Sequence, residues 1–527
     1  MEEVSLENVI RRCGDFNRFQ LIHYIFLSLL TIGSGIAGFY YVFGLAEPDF
    51  HCRISSNIWP DNDKFHFYNT NSSLLLDQFQ NSTSKCKDIN GSTCNEFVYD
   101  RSIFGRTFTE EAGYVCGNAI KKTWLSTAYQ IGTFAILVTG SVADKIGRRK
   151  MIQILTIEQF AITGLTQTLL QFIQMSINAK FILLFINQAI SAVDSYCIAF
   201  LLIMELTSST YTSYACGLTL IVYTVGEILL AIFAYVSRDW LLLKWIISIY
   251  FAISLPYLYF VPESPYWLLS RKKYNELEIC LRKMAKTNGY SEDKWLPFYN
   301  QLIDDTRLIE TTTNEGKSTK RKFLRHLPRL TICSFIEFVT MLLYTKISYG
   351  LAAANETLSP YWDFVIGAVV EAIGYLIAAI LITTFLGRKY SLISFATLTS
   401  ICVLTIPFIM EQYPLATIIV SQLGKLSVSS TISVSWIYVP ELFPTAMRGL
   451  ANAVFVFLGS FGSILAPIVD EALGDKYVRI SFYVYSGLII ILVLIICTLP
   501  ETQNRSFDDG EGHNDVTQTE EEANIQI

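Results

Sequence analysis

Charged side chains stranded inside long apolar runs are the residues of this 527-residue chain best placed to do chemistry. Asp194, Glu227, Glu337 and Glu371 each interrupt such a run, Glu158 stands in another, and Lys425 and Lys346 are the basic counterparts. An ionisable group in a membrane interior is costly and by default marks a ligand or ion path. The acids outnumber the bases, so a cavity that they surround favours a cation or zwitterion through the low-dielectric field. Each group also has a plainer reading. Glu371 and Lys425 can form an internal pair, Asp194 can face hydrated space, and Glu227 can be structural. Covalent chemistry has no residues behind it. There is no Gly-rich phosphate loop with Lys-Ser/Thr, no nucleophile elbow and no metal-ligand spacing, so no enzyme activity, metal or cofactor is expected.

The elements that must position these charges are apolar runs of about 20 residues, the length a bilayer demands. With 52% hydrophobic and 16% charged residues, the chain is too apolar for an ordinary soluble protein. Runs are expected at 20–43, 123–143, 151–173, 179–205, 211–236 and 241–261, and again at 330–350, 362–385, 390–410, 415–439, 451–469 and 480–499. The reading is an all-α membrane protein of twelve transmembrane helices in two six-helix halves. The first run begins near Phe19 and is too long for a cleaved leader, so it is expected to stay as a membrane helix. Lys145, Arg148, Arg149, Lys150, Arg271, Lys272, Lys273, Arg282, Lys283, Arg388, Lys389 and Arg448 fall on one side if the spans alternate. That side is then cytoplasmic and both termini lie inside.

Polar segments complete the plan: a cytoplasmic N-terminus (1–19), an N-terminal half (20–261) with an outer loop (45–122), a cytoplasmic loop (262–328), a C-terminal half (329–499) and an acidic tail (500–527). The outer loop holds glycosylation sequons at Asn71, Asn81 and Asn90, and Cys52, Cys86, Cys94 and Cys116. Four cysteines in an oxidising compartment suggest two disulfides, in any of three connectivities. Residues 304–322 read as the linker between halves, and the tail reads as solvated and disordered. The net charge of −6, without a basic face, argues against a nucleic-acid partner. The partners expected are the lipid bilayer and a small organic ion.

Landmarks recur between the halves. Gly147-Arg148-Arg149 is echoed by Gly387-Arg388-Lys389, Glu205 by Glu441, and Pro262-Glu263-Ser264 by Pro500-Glu501-Thr502, at offsets of 240, 236 and 238 residues. The chain therefore reads as a duplicated six-helix unit with a site between the copies. Gly140-x-x-x-Asp144-Lys-x-Gly147-Arg148-Arg149-Lys150 resembles the loop between the second and third helices of the major facilitator superfamily of secondary transporters. It is expected to act as a conformational latch. Asp144 would accept from an arginine or helix N-terminus of the other half, and Gly140 and Gly147 would allow close approach and a tight turn. Arg148, Arg149, Glu205, Gly387, Arg388, Glu441 and Arg448 complete it. The second copy has Thr384-Phe385 where an Asp would stand, so the latch is expected to be asymmetric.

Pro48-Asp-Phe-His-Cys52, the four-cysteine outer loop, Tyr223-Thr-Val-Gly226, Pro262-Glu-Ser-Pro-Tyr-Trp-Leu-Leu269 and Glu441-Leu-Phe-Pro-Thr-Ala-Met-Arg448 resemble the organic cation/anion/carnitine transporters within that superfamily. The resemblance implies polyspecific movement of small organic ions across the plasma membrane without ATP. Glu371 and Lys425 match the family's charged positions in the eighth and tenth helices. Phe134, Tyr196 and Tyr344 match or neighbour its cavity aromatics, whose rings would hold an organic cation at about 1–2 kcal/mol each when desolvated. Ordinary helix packing is the plainer role for these rings. Asp194 is read as a cation site or a hydrated helix face, and Glu337 falls where related cation carriers have an aromatic. The residue that selects charge in the eleventh helix of that family is here Ser460. Organic cation transport is the reading, with a carnitine, zwitterion or anion carrier anchored on Lys425, or a transporter-like sensor, as the alternatives.

Overall fold

The computed structural model describes residues 5–53, 86, 93–94, 96–193, 195–312, 319–350, 359–410, 412–443, 445–473 and 478–502. Asp194, Asn71, Asn81 and Asn90 lie outside the described residues, as does the side chain of Arg448. Helix α1 (Leu6–Arg12) starts on an Ser5 cap and buries Leu6, Val9 and Ile10; a capping box from Asn17 to Gln20 then opens α2 (Arg18–Gly44). The outer loop forms a two-stranded antiparallel ribbon of β1 (Phe50–Cys52) and β2 (Phe97–Tyr99), followed by α3 (Phe108–Ala112). Of the three disulfide connectivities, the structure has Cys52–Cys94 and Cys86–Cys116.

The remaining helices of the first half are α4 (Ala119–Gly132), α5 (Ile136–Ile146), α6 (Arg148–Phe172), α7 (Ile177–Ser191), α8 (Tyr196–Leu206), α9 (Ser209–Ser237) and α10 (Trp240–Ser254). Two expected spans are broken rather than continuous: a 3₁₀ turn at Thr133–Ala135 separates α4 from α5, and a break separates α7 from α8. These irregularities face each other, with Gly132 against the Ala189 carbonyl and the Ala192 side chain. Backbone irregularity at membrane depth persists where protein, not lipid, surrounds it.

Among the described residues, eleven helical stretches are long and apolar enough to cross a membrane; the expected span that does not qualify is α6. Its polar residues are matched inside the protein. Thr156 donates to Ser195 (3.2 Å), Gln159 to the Ser191 carbonyl (3.3 Å), and Gln167 to the Leu241 carbonyl (2.7 Å). In lipid, such bonds hold helices together where apolar contact gives no preference over the acyl chains.

Between the halves come α11 (Pro265–Ser270), α12 (Tyr274–Asn288) and α13 (Leu296–Thr312). α12 buries Leu277, Leu281, Met284, Ala285 and Asn288, one stripe at helical spacing. Asn288 accepts from the Phe19 amide (2.8 Å) and donates to the Cys13 and Gly14 carbonyls (3.0 Å each), so the connecting segment is clasped to the chain's start. The expected 304–322 linker is shorter than its composition suggests: α13 runs to Thr312 and the next helix, α14 (Thr319–Gly350), begins seven residues later.

The second half continues with α15 (Pro360–Leu381), α16 (Gly387–Ile409), α17 (Pro414–Glu441), α18 (Thr445–Leu473) and α19 (Val478–Ile496). Across the seam α9 packs on α15, and α4 and α5 pack on α18. The bundle has a disulfide-bearing end and a basic end, where the charged loops lie. At the disulfide end Phe43 stacks on Tyr361 (centroids 5.0 Å) and meets Phe364 (5.3 Å). At the basic end Gly140 faces the Ala453 methyl, and a β-carbon on Gly217 would stand 2.7 Å from the Ala379 methyl. Gly217→Leu is therefore expected to wedge α9 off α15. The check is faster labelling of Cys197 by a thiol reagent in permeabilised membranes; unchanged labelling would mean that the contact does not hold this end shut.

Candidate functional site

The helices that meet along the seam leave a central cavity of about 160 Å³. Its wall is aromatic: Phe39 of α2, Tyr129 of α4, Tyr196 of α8 and Tyr223 of α9 face Tyr344 of α14, Tyr375 of α15 and Trp436 of α17. Ser34, Gln130, Thr139, Thr345 and Ser463 supply polar patches, and no described lining residue is charged. Ring centroids of Tyr196 lie 5.5 Å from Tyr223 and 5.9 Å from Trp436, so rings from both halves adjoin.

The charges stand one layer behind the rings. Glu371 is buried and accepts from the hydroxyls of Tyr344 (3.0 and 3.1 Å) and Tyr375 (2.6 Å), and Lys425 Nζ lies 3.3 Å away. Gly367 leaves room for that ammonium, since a β-carbon there would sit 3.0 Å from it. Glu337 accepts from the Trp436 indole (2.9 Å) and Ser435 (3.4 Å). Two carboxylates thus draw protons outward from three cavity rings. A ring that donates to an anion is more electron-rich on its face, which strengthens attraction for a cation and opposes an anion.

The expected site residues fall into two groups. Tyr196 and Tyr344 line the cavity, with Glu371 and Lys425 paired behind them. Phe134 instead packs between Phe457 (4.9 Å) and Phe461 (4.7 Å) on the seam, which is the plainer role allowed for it. Ser460 does line the cavity and accepts from Thr133 of the opposite half at 2.5 Å. Tyr129, Tyr223, Tyr375, Trp436 and the reach of Glu337 through Trp436 were not foreseen; Tyr375 at four residues from Glu371 on one helix face was the available signal. Glu158 is half-exposed on α6, and Lys346 pairs with Asp470 at 2.6 Å, away from these rings.

The basic end carries two matching clusters. In the first half Arg148 bridges Glu205 (3.2 and 3.1 Å) and Asp144 (2.7 Å), while Glu263 accepts the backbone amides of Arg148 (2.8 Å) and Arg149 (3.2 Å). Burial pushes the Glu263 carboxyl above its usual range, and these amides with that of Ser264 hold it back. In the second half Arg388 binds Glu441 (3.1 Å), and Glu501 accepts the amides of Arg388 and Lys389 (3.0 Å each). Gly147 (φ +106°) and Gly387 (φ +68°) make the two turns, in backbone conformations that L side chains resist. Two expectations are corrected. Asp144 pairs with Arg148 of its own half rather than reaching across, because the intervening turn is tight enough to bring position 148 back over it. The second cluster also lacks less than Thr384-Phe385 implies, since its arginine–glutamate pair is assembled even though no carboxylate stands at those positions.

Two helical bundles with repeated charge clusters, closing on an aromatic cavity, define a multi-pass membrane transporter of the major facilitator architecture and not an enzyme. The sequence model of the family described as sugar (and other) transporter matches residues 65–511, and the chain belongs to that family. It is similar to an organic cation transporter protein of Drosophila melanogaster, 24% identical over 96% of this chain and 95% of that one. It is also similar to organic cation/carnitine transporter 2 of Homo sapiens, 25% identical over 93% of this chain and 90% of the relative. Among solved structures, the proton:xylose symporter XylE bound to 6-bromo-6-deoxy-D-glucose superposes with a TM-score of 0.64 at 15% identity, covering 93% of this chain and 99% of that one. The inward open xylose transporter XylE from E. coli superposes at 0.57 with 14% identity, over 93% and 99%. These likenesses establish the twelve-helix fold.

Proposed function

We propose that the protein is a polyspecific carrier of small organic cations, working by alternating access in the plasma membrane with both termini in the cytoplasm. The observation that carries this reading is the aromatic cavity whose rings donate to Glu371 and Glu337. It offers a cation several electron-rich faces and, among the described lining residues, no ammonium, Lys425 being engaged with Glu371. The relatives' names, organic cation and organic cation/carnitine transporters, point the same way. An anion carrier anchored on Lys425 would first have to break that pair, and a degenerate second cluster no longer argues for a sensor. Contacts between the halves on both sides of the cavity suit a state in which neither end is open, and parting one set or the other would give the two access states. The basic loops support a cytoplasmic basic end, and in this reading Asn71, Asn81 and Asn90 are glycosylation sites on the outer side.

Labelled tetraethylammonium uptake, measured in expressing cells at two membrane potentials, tests the reading. Uptake should rise with internal negativity, and Trp436→Leu should lower it at least about tenfold at unchanged surface expression, the loss of one desolvated cation–π contact with its hydrogen bond. Preferential uptake of an anionic probe, with Trp436→Leu neutral, would sink it. For the clusters at the basic end we propose a latch role, in which Asp144→Asn lowers uptake several-fold while surface expression is kept. Normal flux in that variant would reduce the loop to a topology anchor.

A further inference from the structure

One buried ionisable group is used neither by the cavity nor by the charge clusters. Glu227 stands on α9 one turn beyond Tyr223, with 0% of its surface exposed, and neither carboxylate oxygen has a hydrogen-bond partner among the described residues. A carboxylate left so in a low-dielectric interior is among the costliest things a fold can contain. Across the seam α9 packs on α15, which carries Glu371 and Tyr375, and touches α17, which carries Lys425. The single positive charge of Lys425 is already shared with Glu371, which two tyrosine hydroxyls also hold. On the remaining neighbours, α2 crosses α9 at Ile32–Gly35 without an ionisable side chain. Lys244 and Tyr250 of α10 are directed at Asn187 and the Leu29 carbonyl, and α8 offers Tyr196, its Glu205 being bound to Arg148. Lys425 is thus taken up by Glu371, and an ionised Glu227 would add one negative charge that a proton or a cation must balance.

We propose that Glu227 is a proton-binding site on the seam and that cation entry is exchanged there against one proton. With the cavity empty of cation, Glu227 carries the proton. A cation seated against Tyr223 and Tyr375 supplies the missing positive charge, so the Glu227 O–H bond breaks and the proton leaves to the open side; departure of the cation reverses the step. The two occupancies oppose each other through a coupling free energy that is reciprocal. The position suits this use, because Glu227 belongs to one half while Glu371 and Lys425 belong to the other, so parting the halves alters its electrostatic neighbours. The exchange rests on the cation reading given above; the protonation of Glu227 does not.

The full-length protein in proteoliposomes, with labelled tetraethylammonium and an entrapped pH dye, provides the test, together with infrared detection of protonated carboxyl groups at neutral pH. The expected result is that an acid interior raises the accumulation of tetraethylammonium by up to about tenfold per pH unit, as one-for-one exchange allows. Protons should leave as it enters. Glu227→Gln should abolish both gradient effects and remove a protonated-carboxyl band, while gradient-free exchange of tetraethylammonium continues. An undiminished gradient response in Glu227→Gln, or an infrared spectrum that does not change, overturns the proposal. A band lost in the variant, with no tetraethylammonium movement even in the parent protein, keeps the proton site and overturns the cation reading instead.

Discussion

Lys425→Met is expected to abolish transport and to destabilise the second half by about 3–5 kcal/mol, the cost of leaving a buried charge without its partner. Glu371 has 0% of its side chain exposed and Lys425 8%, so solvent cannot take over the role of the missing ammonium. The Tyr344 and Tyr375 hydroxyls would still donate to Glu371, but neutral donors do not cancel its charge. The double variant Glu371→Gln/Lys425→Met should recover most of the lost stability, since both charges leave together. Thermal unfolding in detergent, followed by fluorescence-detected size exclusion, reads both effects. Additive losses in the double variant would show that the pair is not coupled, and the account of Glu371 as a carboxylate held behind the rings would fail with it.

Arg148→Ala is expected to be the most damaging change at the basic end, lowering transport more than tenfold and stability by about 2–3 kcal/mol. The figure lies below that for the Lys425 pair because Arg148 and Glu205 keep 11% and 21% of their side-chain surface in contact with solvent. Arg148→Lys should rescue little. The guanidinium serves both Glu205 oxygens, Asp144 and the Ala143 carbonyl at once, and a single ammonium cannot reproduce that fork. Arg388→Ala should cost somewhat less, since Thr502 also donates to Glu441 and partly satisfies it. Uptake normalised to surface expression, compared across the three variants, checks the order. Full rescue by lysine would mean that charge alone matters here, not the shape of the arginine contact.

Much of the fold was legible because lipid imposes it. Each membrane-crossing run had to be long and apolar, and each loop charge had to lie outside it, so the twelve elements stood out from composition along the chain. The repeat was equally readable, and its landmarks proved to be partners. Arg148, Glu205 and Glu263 recur as Arg388, Glu441 and Glu501 in sequence, and each trio assembles at one end of its own half. What composition could not show was the break in two of the spans, where Gly132 lets one helix pack against the Ala189 carbonyl of the other.

The site divides along the same line. The sequence by itself determined that acids outnumber bases inside the bilayer and that tyrosines accompany them, because residue type alone sets charge and polarisability. Only the tertiary structure decided that Lys425 is committed to Glu371, that Glu337 reaches the cavity through Trp436, and that Glu227 has no hydrogen-bonding partner among the described residues. The physical reason is rotational. A helix that is apolar on nearly every side carries little record of which face meets which neighbour, since lipid and protein are almost equally good solvents for it. Those choices are made by small-residue contacts and by a few polar bonds between helices far apart in the chain, and they exist only once the two halves have closed on each other.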